Sequence, residues 1–414
     1  MKHLVLFLFL LIFTRVFAQE HVVFSPISSI NGLSDNRVRT ICQLADGRMV
    51  VITEGLVNIY DGSSFEYMHY NELQSYQLPH YAGYHRAYVD NQNRLWLKNQ
   101  HKLMLFDIGT EQYVPNVDSV LRSLKIEKPI ANFFMDTDFN LWLVGTNNEL
   151  ILHDGQTHET RIFIQNIREL NASEHDELYD VALRDKQLFL FFKSGEMVCY
   201  NKETARELYR ENPFGKNENP FASTLMVAPH KQYLYQARDG NNRGQLVRFN
   251  TLNRKWERIL ETDYWLNTLT IDPEGTCWIS SYSGLWRIDE NLRSKQLLSP
   301  LHLVDGRSFD SEISTQFNDN QGGLWVGTVN RGILYYHPDR FKFRNYGSSF
   351  FKLPNNENVS IFSLAQHNGT ILMGTQAGVF SFKNDTMDFE TVNWLPNQAF
   401  CEMLFTDSQN RLWI

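Results

Sequence analysis

Asp319-Asn320-Gln321-Gly322-Gly323-Leu324-Trp325-Val326 is the stretch on which the fold is read. An Asp can accept hydrogen bonds from turn amides, and a Gly three residues on tolerates positive φ. A Trp then opens an apolar run, so the stretch describes a β-hairpin. The pattern recurs at 90–97, 136–143, 272–279 and 407–414. Phe139 takes the Gly position in one copy, which predicts a turn shifted by one residue. Weaker copies fill the gaps, so the anchor positions are Val50, Trp96, Trp142, Phe189, Leu234, Trp278, Trp325, Leu372 and Trp413. Successive anchors stand 41 to 47 residues apart. A period in the mid-forties is that of four-stranded propeller blades. A helical solenoid of similar period needs apolar stripes at helical spacing, and the chain shows short alternating or continuous runs instead.

Seven anchors, Val50 to Trp325, predict an all-β fold: a seven-bladed β-propeller of four-stranded antiparallel blades over residues 19–340. Val22 to Phe24 is expected to add an outer strand to the seventh blade and close the ring. Residues 341–414 read as the first blades of a second, incomplete propeller. The sequence stops within a strand at Ile414, so the expectation is a fragment of a longer protein. Residues 1–18 have the layout of a signal peptide, with Lys2, an apolar run from Leu4 to Phe13, and Ala18 before the cut. That run is too short to span a bilayer, so export is expected.

Composition narrows the function classes. The formal charge is −8, and −10 once Lys2 and Arg15 leave with the leader. An acidic chain without a basic run argues against nucleic acid as a partner. The four cysteines stand far apart, without CxxC spacing, and read as buried free thiols.

The segment Gly32-Leu33-Ser34-Asp35-Asn36-Arg37-Val38-Arg39-Thr40-Ile41, followed by repeated Leu-Trp-[Ile/Val]-Gly-Thr elements, resembles the regulator-propeller repeat. That repeat builds the periplasmic sensors of Bacteroidetes hybrid two-component systems. The resemblance implies a periplasmic sensor that binds a glycan-derived oligosaccharide and signals to a histidine kinase absent from these residues. It further implies a homodimer, anchored in the inner membrane through a missing C-terminal part. The family also allows ligand to sit between propellers or subunits.

Catalytic arrangements are not evident: there is no P-loop, G-x-S-x-G elbow or H-E-x-x-H. Glu174 and Asp176 read as a solvated loop. The spacing of His80/His85 and His153/His158 predicts opposite faces of a strand, and His230 reads as a loop residue. No catalytic residue, metal site or cofactor is therefore assigned. The Asp turns look structural, so variable loops at the opposite end are the place for ligand. Candidates there are Arg37, His85, Arg86, His101, Arg238, Trp265, Tyr282 and Arg331. Aromatic faces stack on sugar rings, and Arg pairs with carboxylate or sulfate. The competing readings are a polysaccharide-active propeller enzyme, lyase or hydrolase, and a freestanding binding or scaffolding propeller.

Overall fold

The computed structural model describes residues 22–54, 56–69, 75–79, 85–99, 101–170, 176–214, 224–240, 243–341, 348–353, 358–383, 388–392 and 400–414. The expected signal peptide and His80 lie outside them. The chain divides into two compact units: one is 26–301 with 309–339, the other 1–25 with 302–308 and 340–414.

Among the described residues the larger unit is built on seven sheets, mostly four antiparallel strands in sequence order. Their first strands are Val38–Gln43, Arg86–Val89, Ile130–Met135, Leu178–Arg184, Thr224–His230, Leu266–Ile271 and Ile313–Asn318. In the last sheet Ile313–Asn318, Leu324–Thr328 and Ile333–Tyr336 run antiparallel in sequence order. Residues of all seven first strands line one cavity, so the sheets surround a common axis as propeller blades do. A single short α-helix is described, Val117–Ser123, which buries Val117 and Leu121 between the second and third sheets.

The Asp turn explains the repeat. Asp319 Oδ1 accepts the amides of Gln321 (2.9 Å) and Gly323 (2.7 Å), while Oδ2 accepts the indole N–H of Trp325 at 2.8 Å. The same indole bond joins Asp90 to Trp96, Asp136 to Trp142, Asp272 to Trp278 and Asp407 to Trp413, at 2.7 to 3.1 Å. One carboxylate thus satisfies a turn and the polar edge of a ring whose body, at every copy but Trp413, is buried. An unpaired buried donor costs about 1–3 kcal/mol, which is why Asp and Trp recur together. Burial raises the Asp136 pKa, with Trp142 and Asn140 opposing the rise.

The turn at Phe139 is not shifted, contrary to expectation. Its amide bonds to the Asp136 carbonyl at 3.1 Å, as Gly322 does to Asp319 at 3.2 Å, and it holds φ +62°. The backbone geometry is retained and the strain is borne by a phenylalanine. The fourth and fifth sheets lack the motif because they turn in two residues, Asp185-Lys186 and Lys231-Gln232. His230 correspondingly ends a strand and is not in a loop.

Anchor rings pack sheet against sheet. Trp96 stacks on Phe133 of the next sheet with ring centroids 5.0 Å apart, and Trp325 meets Tyr60 of the first sheet edge-on at 5.9 Å. A Cβ on Gly327 would stand 2.5 Å from Val38 Cγ1, so glycine is required where the seventh sheet meets the first. All four cysteines are buried and unbridged.

The smaller unit holds one four-stranded antiparallel sheet, Ile361–His367, Thr370–Thr375, Gly378–Lys383 and Asp388–Thr391. A two-stranded ribbon, Phe405–Thr406 with Leu412–Trp413, carries the last Asp turn. Its core gathers Phe351, Met373, Phe380 and Phe389.

Candidate functional site: the axial cavity and its mouth

Each first strand is the exposed edge of its sheet and carries backbone groups with no ladder partner. Five of them are bulged at one level, where the register slips at Val38/Thr40, Ile130/Asn132, Leu178/Asp180, Leu266/Leu269 and Ile313/Thr315. The bulges re-aim polar side chains sideways, and those side chains bond to the backbone of other sheets. Ser314 Oγ donates to the Val38 carbonyl at 2.6 Å, and Asn267 Nδ2 to that of Ile313 at 2.7 Å. Gln316 Nε2 donates to the Trp278 carbonyl at 3.0 Å, and Asp180 Oδ2 accepts the Val227 amide at 2.8 Å. Together these bonds make a polar belt around the axis.

Arg86 crosses this belt. Its Nη1 pairs with Asp180 Oδ1 at 2.8 Å, and its Nη2 donates to the Leu225 carbonyl, so one side chain from the second sheet reaches the fourth and fifth. Lys98 lies behind it, with Nζ donating to Asn132 Oδ1 at 3.0 Å and to the Phe133 carbonyl at 2.6 Å. Burial, then the Arg86 charge, hold the Lys98 pKa well below the usual lysine range, and Asp180 opposes them.

The cavity volume is about 390 Å³. His85 and Arg86 line it, with Tyr88, Tyr179, Asp180 and a series of threonines. Next to the lining residue Thr40, Arg39, a bulge residue, pairs with Glu54. Burial lowers the His85 pKa to about 4, and the Arg39 charge adds to this while Glu54 opposes it, so the imidazole is neutral at pH 7. Burial raises the Glu312 carboxyl, against a hydrogen bond from Asn267 and the Arg39 charge.

Of the eight candidates, His85 and Arg86 are thus placed in the cavity. Trp265 and Tyr282 are joined through the Tyr282 amide and Trp265 carbonyl at 3.2 Å, and remain 43% and 58% exposed. Thr262 Oγ1 holds the Tyr264 carbonyl at 2.7 Å and Trp286 Nε1 donates to Tyr264 Oη at 3.1 Å, which fixes the segment bearing Trp265. Arg238 is not a rim charge: it is buried, donating to the Lys193 carbonyl at 3.1 Å over the Phe214 ring. Arg37, His101 and Arg331 are exposed in loops and turns and do not line the cavity.

Sequence reasoning missed Arg39, Asn132, Asp180, Thr268 and Thr315. For Asn132, Thr268 and Thr315 the signal was a polar residue ten positions before the anchor, a place also held by Thr40 and by the candidate Arg86. Asp176 is buried, not solvated, and accepts the Ser194 amide at 2.8 Å. The rings of His153 and His158 come within 6.2 Å because His158 lies in the turn beyond the strand. Among the described residues no group of three His, Cys, Asp or Glu side chains is placed to hold a metal, and no helix is long and apolar enough to cross a membrane.

No protein-family model matches the sequence, and no curated protein matches it. Among solved structures, the extracellular domain of the hybrid two-component system BT3049 from B. thetaiotaomicron aligns with TM-score 0.63 and 16% identity, covering 95% of this chain and 52% of that one. The extracellular domain of the hybrid two-component system BT4673 from the same organism aligns with TM-score 0.55 and 16% identity, covering 95% and 51%. The chain spans about half the length of these structures. At this identity the likeness is one of fold: the chain shares the fold of part of these two extracellular domains.

Proposed function

We propose that this chain is the ligand-sensing part of an exported sensor that recognises a glycan-derived oligosaccharide and passes the signal to a kinase elsewhere in the whole protein. The whole protein is then a homodimer held in the inner membrane. The observation that carries the reading is the cavity of about 390 Å³ lined by all seven first strands. It lies within the range of roughly 300–1,000 Å³ typical of small-ligand sites. Its lining includes His85 and Asn267, and exposed Trp265 stands two residues before Asn267 in the chain, in a segment where the repeat lapses. A periodic scaffold gains a specific site only where its periodicity is broken. Ligand that favours one packing of the propeller would bias a two-state receptor by its differential affinity.

The test is incubation of the full ectodomain with a panel of plant, host and microbial oligosaccharides, followed by calorimetry and product analysis. Saturable binding with every oligosaccharide recovered intact is expected. Cleavage of the bound sugar would move the protein to the polysaccharide-active enzymes.

A further inference from the structure

We infer that the axial cavity takes the uncharged end of an oligosaccharide and rejects sugars bearing a carboxylate or sulfate. The inference rests on the carbohydrate reading above and adds the ligand's charge. Arginines near a sugar site ordinarily suggest acidic sugars, so the assignment turns on what each guanidinium already holds. Arg86, the arginine lining the cavity, is bound to Asp180 and the Leu225 carbonyl. Arg39, next to the lining residue Thr40, is bound to Glu54, and Arg238 is buried against Lys193 and Phe214. The titratable side chains of the lining are one guanidinium, Arg86, two carboxyls, Asp136 and Asp180, and neutral His85, a formal count of −1.

An acidic sugar would bring a second negative charge into this space with its cation already spent, and burying a charge without a partner is costly. An uncharged sugar meets hydroxyls instead, from Thr40, Thr137, Thr268, Thr270 and Thr315. Trp265 stands two residues from Asn267, which also lines the cavity, so its exposed ring is placed for the next sugar outward.

The full ectodomain is titrated with neutral disaccharides and with the same disaccharides oxidised to terminal uronates, read by calorimetry and tryptophan fluorescence. A neutral disaccharide is expected to bind, and its uronate to bind about tenfold or more weakly, a difference of about 1.4 kcal/mol. Trp265→Ala should weaken the neutral ligand about tenfold with an unchanged melting temperature. Asp180→Asn, which releases Arg86, should narrow or reverse the preference; if that variant does not fold, the matched sugars on the unaltered protein still decide. A uronate that binds as tightly as its neutral partner overturns the charge assignment alone. Failure of every disaccharide to bind overturns the carbohydrate reading and this inference with it.

Discussion

The two ends of the larger unit make opposite use of the same sheets. At one end Asp90, Asp136, Asp272 and Asp319 repeat one set of bonds, each carboxylate closing a turn and holding an indole N–H. At the other end the residues differ sheet by sheet: Arg39 with Glu54, neutral His85, Trp265 beside Tyr282, Arg331 over Phe309. The repeated end performs a task that every sheet shares, satisfying a buried ring and a tight turn. The varied end performs a task needed once. Between them lies the belt, where polar side chains from different sheets satisfy the unpaired inner edges.

This contrast can be broken by paired substitutions. Trp142→Ala, in the repeated motif and fully buried, should cost about 3–5 kcal/mol in chemical denaturation. Trp265→Ala, at the varied end and half exposed, should change stability by less than about 0.5 kcal/mol while weakening the neutral ligand about tenfold. Equal effects on stability would erase the division between the ends. In the belt, Asp180→Ala leaves Arg86 without its carboxylate, and a loss of about 3 kcal/mol is expected. The double change Asp180→Ala with Arg86→Met should recover part of it, as measured by a double-mutant cycle.

Smaller effects sharpen the comparison. The His85 pKa lies below its unfolded value, so on acidification the unfolded chain takes up the proton first. The contribution is complete above pH 6.5 and is lost as pH falls toward about 4. His85→Gln should flatten that decline by about 1 kcal/mol in denaturation curves collected across the interval, with little change at pH 8. Phe139→Gly should stabilise by about 0.5 kcal/mol, because φ +62° suits glycine while the added freedom of the unfolded chain offsets part of the relief.

Sequence alone revealed what repeats. Trp at a fixed period, with Asp six residues before it, announces the sheets because each copy faces the same local problem. The turns at Asp185-Lys186 and Lys231-Gln232 escaped because a two-residue hairpin needs no carboxylate. The turn at Phe139 was misjudged because tertiary context holds a bulky residue where glycine is expected. The belt was illegible for a different reason. Arg86, Asp180 and Leu225 lie in three sheets, and nothing local marks an arginine that will span an axis. Arg238 shows the reverse error, since an arginine offered as a ligand residue lies buried under the Phe214 ring.

We propose that ligand enters the axial cavity, encircled by the repeated sheets, from the end where the repeat lapses. A crystal structure of the ectodomain with a bound neutral oligosaccharide tests it most directly. The account predicts sugar density at the mouth, with its terminal residue between His85 and the threonines and the next ring over Trp265. Density at the Asp-turn end, or sheets that leave no common cavity, would contradict it.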